Sequence, residues 1–195
     1  NLSEFSQRRI TYHDGNDIFP HYDPSGLFLV YSSTTDELKE DSGFMQKALF
    51  QRTSVKNSAG SSSSLSVSGG GWKDFFLSTP TAFKTWYSIP TEVYRSTLQG
   101  DQIERLSVSK GYDAEAVYHP NHPSLVWTSE RSRGLVQLYL MNVNGKGVNR
   151  ISKENSIEVQ AQFHPSGHGL VFVRFSPDYS SSQMIYEDLK NKTQI

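Results

Sequence analysis

Short runs of β-favouring residues, separated by turn signals, fill the stretch from residue 111 to residue 152. The interruptions contain two prolines in the first turn and an Asn144-Gly145 pair in the last, and both features are typical of tight turns. The apolar runs between them are too short for long helices and are rich in valine, leucine and aromatic residues. This pattern predicts four antiparallel strands, at residues 113–118, 125–129, 136–143 and 148–151.

The same turn and strand occur three times. The turns align without gaps as Tyr22-Asp23-Pro24-Ser25-Gly26, Tyr118-His119-Pro120-Asn121-His122 and Phe163-His164-Pro165-Ser166-Gly167. Five residues after each proline comes a Leu-Val-aromatic triplet: Leu29-Val30-Tyr31, Leu125-Val126-Trp127 and Leu170-Val171-Phe172. A four-stranded unit repeated at a spacing in the forties is typical of β-propeller blades. We therefore predict an all-β fold, a β-propeller of four-stranded antiparallel blades.

Several motifs of this unit resemble the blade repeat of TolB-like propellers. They are the turn before each triplet, and then Thr128-Ser129-Glu130-Arg131, Leu138-Tyr139-Leu140-Met141-Asn142, Asn144-Gly145 and Arg150-Ile151-Ser152. The resemblance covers the chain apart from one insertion, and it implies a ring of about six blades, of which about three are present here.

The repeat divides the chain into four parts. Residues 1–11 are predicted to form an outer or ring-closing strand, because Arg9-Ile10-Thr11 matches Arg105-Leu106-Ser107 and Arg150-Ile151-Ser152. Blade one is expected at 12–107 with an insertion at 34–91, blade two at 108–152, and a truncated blade three at 153–195. Because three blades cannot close a ring, we expect a missing segment or a further chain to complete it.

The insertion has a composition unlike the blades. A short helix is predicted within residues 36–51, residues 58–71 are rich in serine and glycine, and aromatic residues follow: Trp72, Phe75, Phe76, Phe83, Trp86 and Tyr87. Two interpretations stay open. Trp72, Phe75, Phe76, Trp86 and Tyr87 form a protein-binding arm, since such residues dominate interfaces, or the segment folds into a small local core over blade one.

Carboxylates recur where each innermost strand begins. Asp17, Asp113 and Glu158 align, and Glu115 lies two residues after Asp113. We predict a channel-mouth binding site at Asp17, Asp113, Glu115 and Glu158. An acidic ring there would attract a cation or a basic side chain. Alternatively, each carboxylate accepts backbone N–H groups of a nearby turn.

No chemistry-bearing motif was found beyond these carboxylates. The chain has no Gly-x-Ser-x-Gly elbow and no glycine-rich nucleotide motif, and its histidines show no metal-ligand spacing. His119 and His164 occupy the position of Asp23 and are interpreted as turn caps. We therefore predict no catalytic residue, no cofactor and no metal.

Composition argues against several classes of function. The net charge of −1 argues against nucleic-acid binding, there is no cysteine, and no apolar run is long enough to span a membrane. The resemblance implies a non-enzymatic protein-binding scaffold in the periplasm or elsewhere in the bacterial cell envelope, with a partner such as a peptidoglycan-associated lipoprotein. The alternative is the gating propeller of a prolyl oligopeptidase-like serine peptidase whose catalytic domain is absent from this chain.

Overall fold

The computed structural model describes residues 7–36, 90–132, 135–153 and 155–189. Within these ranges all regular structure is β-strand, and the all-β prediction is confirmed. The strands are β1 (Asp17–Tyr22), β2 (Phe28–Ser33), β3 (Glu92–Thr97), β4 (Glu104–Arg105), β5 (Asp113–Tyr118), β6 (Ser124–Ser132), β7 (Leu135–Asn142), β8 (Asn149–Arg150), β9 (Ile157–Phe163), β10 (Gly169–Phe175) and β11 (Ser182–Asp188). Apart from Asp36, the predicted helix at 36–51 lies outside the described residues, as do the aromatic residues of the insertion.

The strands form three antiparallel meanders. The strand orders are β1-β2-β3-β4, β5-β6-β7-β8 and β9-β10-β11. Every neighbouring pair is antiparallel, and the first strands contact one another from sheet to sheet, β1 with β5 and β5 with β9. This is the arrangement of successive propeller blades, so the predicted fold class is confirmed. The predicted outer strand at Arg9-Ile10-Thr11 forms no strand with the described residues.

Three hydrophobic clusters hold the blades together, and two of them contain residues of the Leu-Val-aromatic triplets. In the first, Val30 and Val93 of blade one pack against Leu125 and Trp127 of blade two. The second joins blades two and three, with Val126, Leu138 and Leu140 on one side and Ala161, Leu170 and Phe172 on the other. Because side chains alternate along a strand, the valine of each triplet points to the next blade, while the leucine and the aromatic residue point to the preceding one. We call these the forward face and the backward face of a blade.

Each innermost strand contains the same irregularity. The third residue of β1 and of β5 and the fourth residue of β9 have positive φ: Phe19 (55°), Glu115 (58°) and Gln160 (56°). In all three blades the register of the innermost strand shifts around this residue. A β-bulge with a non-glycine residue in the left-handed region is strained and redirects the side chain. The bulge therefore gives one side chain of each innermost strand a direction that a regular strand would not give it.

The turns that connect the first and second strands of the blades are capped by the aligned polar residues Asp23 and His119. The Asp23 carboxylate accepts the N–H groups of Leu27 and Phe28, both at 2.9 Å. The Nδ1 atom of His119 accepts two backbone N–H groups at 3.0 Å, and its Nε2 lies 3.1 Å from the Gly167 carbonyl oxygen of blade three. His119 therefore caps its own turn and connects it to the next blade.

Replacing Gly167 by alanine is expected to destabilise the chain more than replacing Gly26. Both glycines occupy the same turn position with similar φ, +76° and +70°. A Cβ on Gly26 meets nothing within 4 Å, whereas one on Gly167 would lie 2.5 Å from the His119 ring. Gly26→Ala should therefore lower the free energy of unfolding only by the cost of placing a Cβ at positive φ, about 1 kcal/mol. Gly167→Ala should lower it by more. Urea unfolding of both variants measures the difference, and equal losses would contradict a tight contact between the turns.

Candidate functional site

The aligned carboxylates lie at one end of the blades. In register, Asp17 is opposite Ser33, Asp113 opposite Ser129, and Glu158 opposite Arg174. Blades one and two are joined at this end by a bridge between Thr91 and Tyr112. We call this end the channel-mouth face. Sequence alignment alone therefore identified three side chains that the fold brings to a common face.

Two of these carboxylates are neutralised by arginines of their own blade. The buried Asp113 accepts hydrogen bonds from Arg131 Nη2 (2.9 Å) and Ser109 Oγ (2.8 Å). Glu158 is 2% exposed, and its Oε1 lies 2.8 Å from Nε and 2.7 Å from Nη2 of Arg174. Partial burial of an ion pair is tolerated when hydrogen bonds satisfy the charges. Asp113 and Glu158 thus connect the first and second strands of their blades.

Asp17 has a more open environment. Its side chain is 21% exposed, and its carboxylate lies 3.6 Å from Nε2 of His13. The positions that carry Arg131 and Arg174 in the other blades hold Thr35 and Ser33 in blade one, so Asp17 has no arginine at either place. Of the three aligned carboxylates, Asp17 is the most exposed, although its Oδ1 atom is buried.

Glu115 is directed between blades rather than to solvent. It is the bulge residue of β5 and is 5% exposed. Its Oε2 accepts hydrogen bonds from Thr128 Oγ1 at 2.8 Å and from the backbone N–H of Gln160, the bulge residue of blade three, at 2.9 Å. Burial raises the pKa of the Glu115 carboxyl, and these hydrogen bonds partly oppose the rise. Its carboxylate joins the bulges of neighbouring blades.

Glu92, at the start of β3, was not identified from the sequence. It is fully buried and accepts hydrogen bonds from the Ser107 hydroxyl, the Ser109 N–H (2.9 Å) and Arg105 Nη2 (3.1 Å). Burial raises the pKa of its carboxyl to about 7, with a smaller contribution from the nearby Asp113 charge. The repeat contained a signal for this residue, because the next blade has Gln137 at the equivalent position, 45 residues later.

Arg105 joins Glu92 to the place where the insertion begins. Its Nη1 lies 3.5 Å from Oδ2 of Asp36, and the Tyr94 hydroxyl also donates to that carboxylate. Arg105 therefore lies between two carboxylates, one buried in blade one and one at the end of the described residues before the insertion. This network connects the insertion to the outer strand of the blade.

Both ends of the insertion are attached at the channel-mouth face. Before it, the N–H of Thr34 donates to the Asn16 carbonyl at 3.2 Å, just ahead of Asp17. After it, Thr91 exchanges hydrogen bonds with blade two, donating to the Gly111 carbonyl (3.3 Å) and accepting from the Asp113 N–H (2.9 Å). The segment thus leaves and re-enters the blade beside the aligned carboxylates. The predicted arm residues themselves, Trp72, Phe75, Phe76, Trp86 and Tyr87, lie outside the described residues.

Metal binding has no support from the described ranges. Within them, no group of three or more His, Cys, Asp or Glu side chains is arranged to hold a metal ion. The same ranges contain no helix long and apolar enough to cross a membrane.

Comparison with solved structures identifies the fold. The chain is similar to a TolB structure from Agrobacterium tumefaciens (15% identity, TM-score 0.60, 92% of this chain and 48% of that chain). It is also similar to TolB from Acinetobacter baumannii (18% identity, TM-score 0.61, 98% of this chain and 34% of that chain). The chain thus spans about half the length of the first structure and about a third of the second. It has a TolB-like β-propeller fold.

The same fold is found in an enzyme. An oligogalacturonate lyase in complex with manganese matches with a TM-score of 0.53 and 14% identity, over 89% of this chain and 39% of that chain. No protein-family model and no curated protein sequence matches the chain. Because one fold serves both kinds of protein, the fold does not by itself decide between binding and catalysis.

Proposed function

We propose that this chain is a non-enzymatic, protein-binding scaffold of the TolB-like type in the bacterial cell envelope. The observation that carries the proposal is the convergence at the channel-mouth face. Both ends of an aromatic-rich insertion and the aligned carboxylates Asp17, Asp113 and Glu158 lie at this face. The likeness to two TolB structures supports the scaffold type and a periplasmic location.

The residues of this face have different roles in the proposal. Asp113, Glu115 and Glu158 hold strands and blades in place through the hydrogen bonds and ion pairs described above. Asp17, the most exposed of the aligned carboxylates, supplies a negative charge for a lysine or arginine of the partner. The aromatic arm supplies the apolar contact area. The proposed partner is a periplasmic protein such as a peptidoglycan-associated lipoprotein, and no cofactor is required.

Deleting residues 37–89 is expected to remove partner binding while the blades stay folded. The deletion keeps Asp36, which pairs with Arg105, and a short glycine turn replaces the segment. The expected result is a retained cooperative unfolding transition with at least a tenfold weaker affinity in a calorimetric titration with purified peptidoglycan-associated lipoprotein, equivalent to about 1.4 kcal/mol.

A single substitution at the same face tests the contribution of the carboxylate separately from that of the insertion. Asp17→Asn should weaken binding without affecting folding, and Asp101→Asn, an exposed carboxylate in the β3–β4 turn, is the matched control. If the deletion unfolds blade one, the insertion is a local core. If the folded deletion variant binds the partner as the undeleted chain does, the insertion is not a binding arm and the proposed binding face is wrong.

The alternative function is a gating propeller of a prolyl oligopeptidase-like peptidase. The oligogalacturonate lyase with the same fold is an example of an enzyme that contains such a propeller. Labelling of the native protein by a fluorophosphonate probe, which reacts with activated serines, distinguishes the two functions. Labelling that a catalytic-site inhibitor prevents would favour the peptidase.

A further inference from the structure

His119 is a buried histidine in the β5–β6 turn of blade two. The residue is 4% exposed. Its ring packs edge to face on Phe163 of blade three at a centroid distance of 4.6 Å, and lies 4.7 Å from the ring of His122. The turn follows the end of β5, whereas Asp113 begins that strand. His119 therefore lies at the opposite end of the strand from the channel-mouth face.

Three hydrogen bonds assign the proton of the His119 ring. The backbone N–H groups of Asn121 and His122 both donate to Nδ1, each at 3.0 Å. A ring nitrogen that accepts hydrogen bonds carries no proton, so the neutral ring has its proton on Nε2. That N–H donates to the Gly167 carbonyl oxygen of blade three at 3.1 Å. This arrangement of donors and acceptors requires an uncharged His119 in one tautomer.

The turns of blades two and three are also joined beside the ring. Asn121 Nδ2 donates to the Ser166 carbonyl oxygen at 3.0 Å. The ring is so close to blade three that a Cβ added to Gly167 would lie 2.5 Å from it. We call His119, Asn121, Ser166 and Gly167 the interblade latch. A movement of the ring would disturb the cap of the blade-two turn and the contact with blade three together.

Protonation would convert Nδ1 of His119 from an acceptor into a donor. The new N–H would face the two backbone N–H groups that donate to Nδ1 in the neutral form, so the ring could no longer cap the turn. Nearby titratable groups do not compensate, because those that act on the ring from the described residues are themselves histidines, His122 in the same turn and His168 in the turn of blade three. The charged ring is therefore incompatible with this position.

The pKa of His119 agrees with this geometry. Burial lowers the pKa from its ordinary value near 6.5, the hydrogen bond to the Gly167 carbonyl opposes the change, and His122 and His168 lower the pKa further. The folded chain thus binds this proton more weakly than the unfolded chain does. The stability that the neutral ring contributes is fully present above the ordinary pKa of histidine and is lost as the pH falls through the lowered pKa.

Blade one makes the same cap with a different group. Asp23 occupies the position of His119, and its carboxylate accepts the N–H groups of Leu27 and Phe28. Burial acts to raise the pKa of Asp23, but hydrogen bonds from Ser25 and from backbone N–H groups outweigh it and hold the pKa below its ordinary value. The carboxylate therefore remains an acceptor at mildly acidic pH. Histidine at this position makes the cap of blade two sensitive to pH.

We propose that the interblade latch is a pH-sensitive switch, which is closed while His119 is neutral and opens when His119 gains a proton. In the closed state the ring caps the turn of blade two and donates to blade three. In the open state the charged ring leaves its position, and the turn loses its cap and its hydrogen bond to Gly167. Acidification then loosens the contact between the two blades at this end.

The first test follows the ring nitrogens of His119 by nitrogen-15 NMR of the complete chain. The titration runs from about pH 8 to about pH 5, the range in which an unperturbed histidine changes its charge. At the upper end His119 should carry its proton on Nε2, and its titration midpoint should lie below the ordinary value near 6.5. A neutral ring with its proton on Nδ1, or a midpoint at or above the ordinary value, would overturn the proposal.

The second test is the substitution His119→Asn. An asparagine side chain can accept the N–H groups of its turn, as Asp23 does, but it does not titrate. The urea midpoint of the unsubstituted chain, relative to that of His119→Asn, should therefore fall as the pH falls across the same range. Both chains contain Glu92, whose contribution has the opposite sign and cancels in this comparison.

His122→Asn is the matched control. It removes the neighbouring histidine but keeps His119 and the backbone N–H of residue 122, so the loss of stability at low pH should persist. If His119→Asn does not fold, His119→Asp takes its place, because blade one uses aspartate at this position. Parallel pH curves for the unsubstituted chain and the folded variant would contradict the switch, and so would a loss that disappears with His122→Asn.

Discussion

Replacing Trp127 by alanine is expected to lower the free energy of unfolding by about 3–5 kcal/mol, the range for truncating a buried tryptophan. Trp127 is fully buried and is the largest side chain in the cluster between blades one and two. Its ring contacts Tyr139 at a centroid distance of 5.5 Å, and the Arg131 guanidinium lies 5.1 Å from its centre. Alanine would leave a cavity between two blades. Urea unfolding followed by circular dichroism measures the loss.

Trp127→Phe is the matched control. Blade three has Phe172 at the equivalent buried position, so the repeat already accommodates a phenylalanine there. The buried indole nitrogen of Trp127 has no hydrogen-bond partner among the described residues, and its replacement breaks no such bond. The phenylalanine variant should therefore retain most of the stability. If alanine costs less than about 1 kcal/mol, the typical effect of any substitution, the blade interface is not the core described here.

Replacing Glu92 by glutamine is expected to change how the stability of the chain depends on pH. Burial raises the pKa of the Glu92 carboxyl to about 7 from its ordinary value near 4.5, so the folded state holds this proton more tightly than the unfolded state. The stability of the unsubstituted chain therefore falls as the pH rises from about 4.5 to about 7, and the loss is complete above that range. Glutamine does not ionise, so the free energy of unfolding of the variant, relative to that of the unsubstituted chain, should rise through the same range by roughly 2–3 kcal/mol.

The equivalent position in blade two allows the opposite substitution, glutamine to glutamate, to be tested. In blade two, Gln137 donates from Nε2 to the carbonyl oxygens of Lys153 (3.0 Å) and Ser156 (3.2 Å). Gln137→Glu should introduce the pH-dependent loss that Glu92→Gln removes. Unfolding in urea at a series of pH values from 5 to 8, about the range in which most domains are stable, checks both variants. Parallel curves for the unsubstituted chain and Glu92→Gln would show that Arg105 keeps Glu92 ionised throughout.

Most of the fold could be predicted because the same turn and triplet motifs occur three times and align without gaps. The turn and triplet motifs identified the second strands to within a few residues, and the Asn-Gly pair identified the β7–β8 turn. Turn chemistry and strand alternation are local properties, so they can be read from neighbouring residues. The same alignment brought Asp17, Asp113 and Glu158 to one face. It aligned Glu92 with Gln137 and so marked a polar position, but nothing close in sequence showed that this position is buried.

What the sequence by itself determined is the blade: which residues form its strands and where they turn. The tertiary structure alone decided the partners of the charged groups. It paired Asp113 with Arg131 and Glu158 with Arg174, directed Glu115 to the bulge of the next blade, and left Asp17 as the most exposed of the aligned carboxylates. The physical reason is the distance along the chain over which each kind of interaction acts. Strand and turn preferences act between residues close in sequence, whereas the burial and charge of a side chain depend on neighbours brought close only by packing.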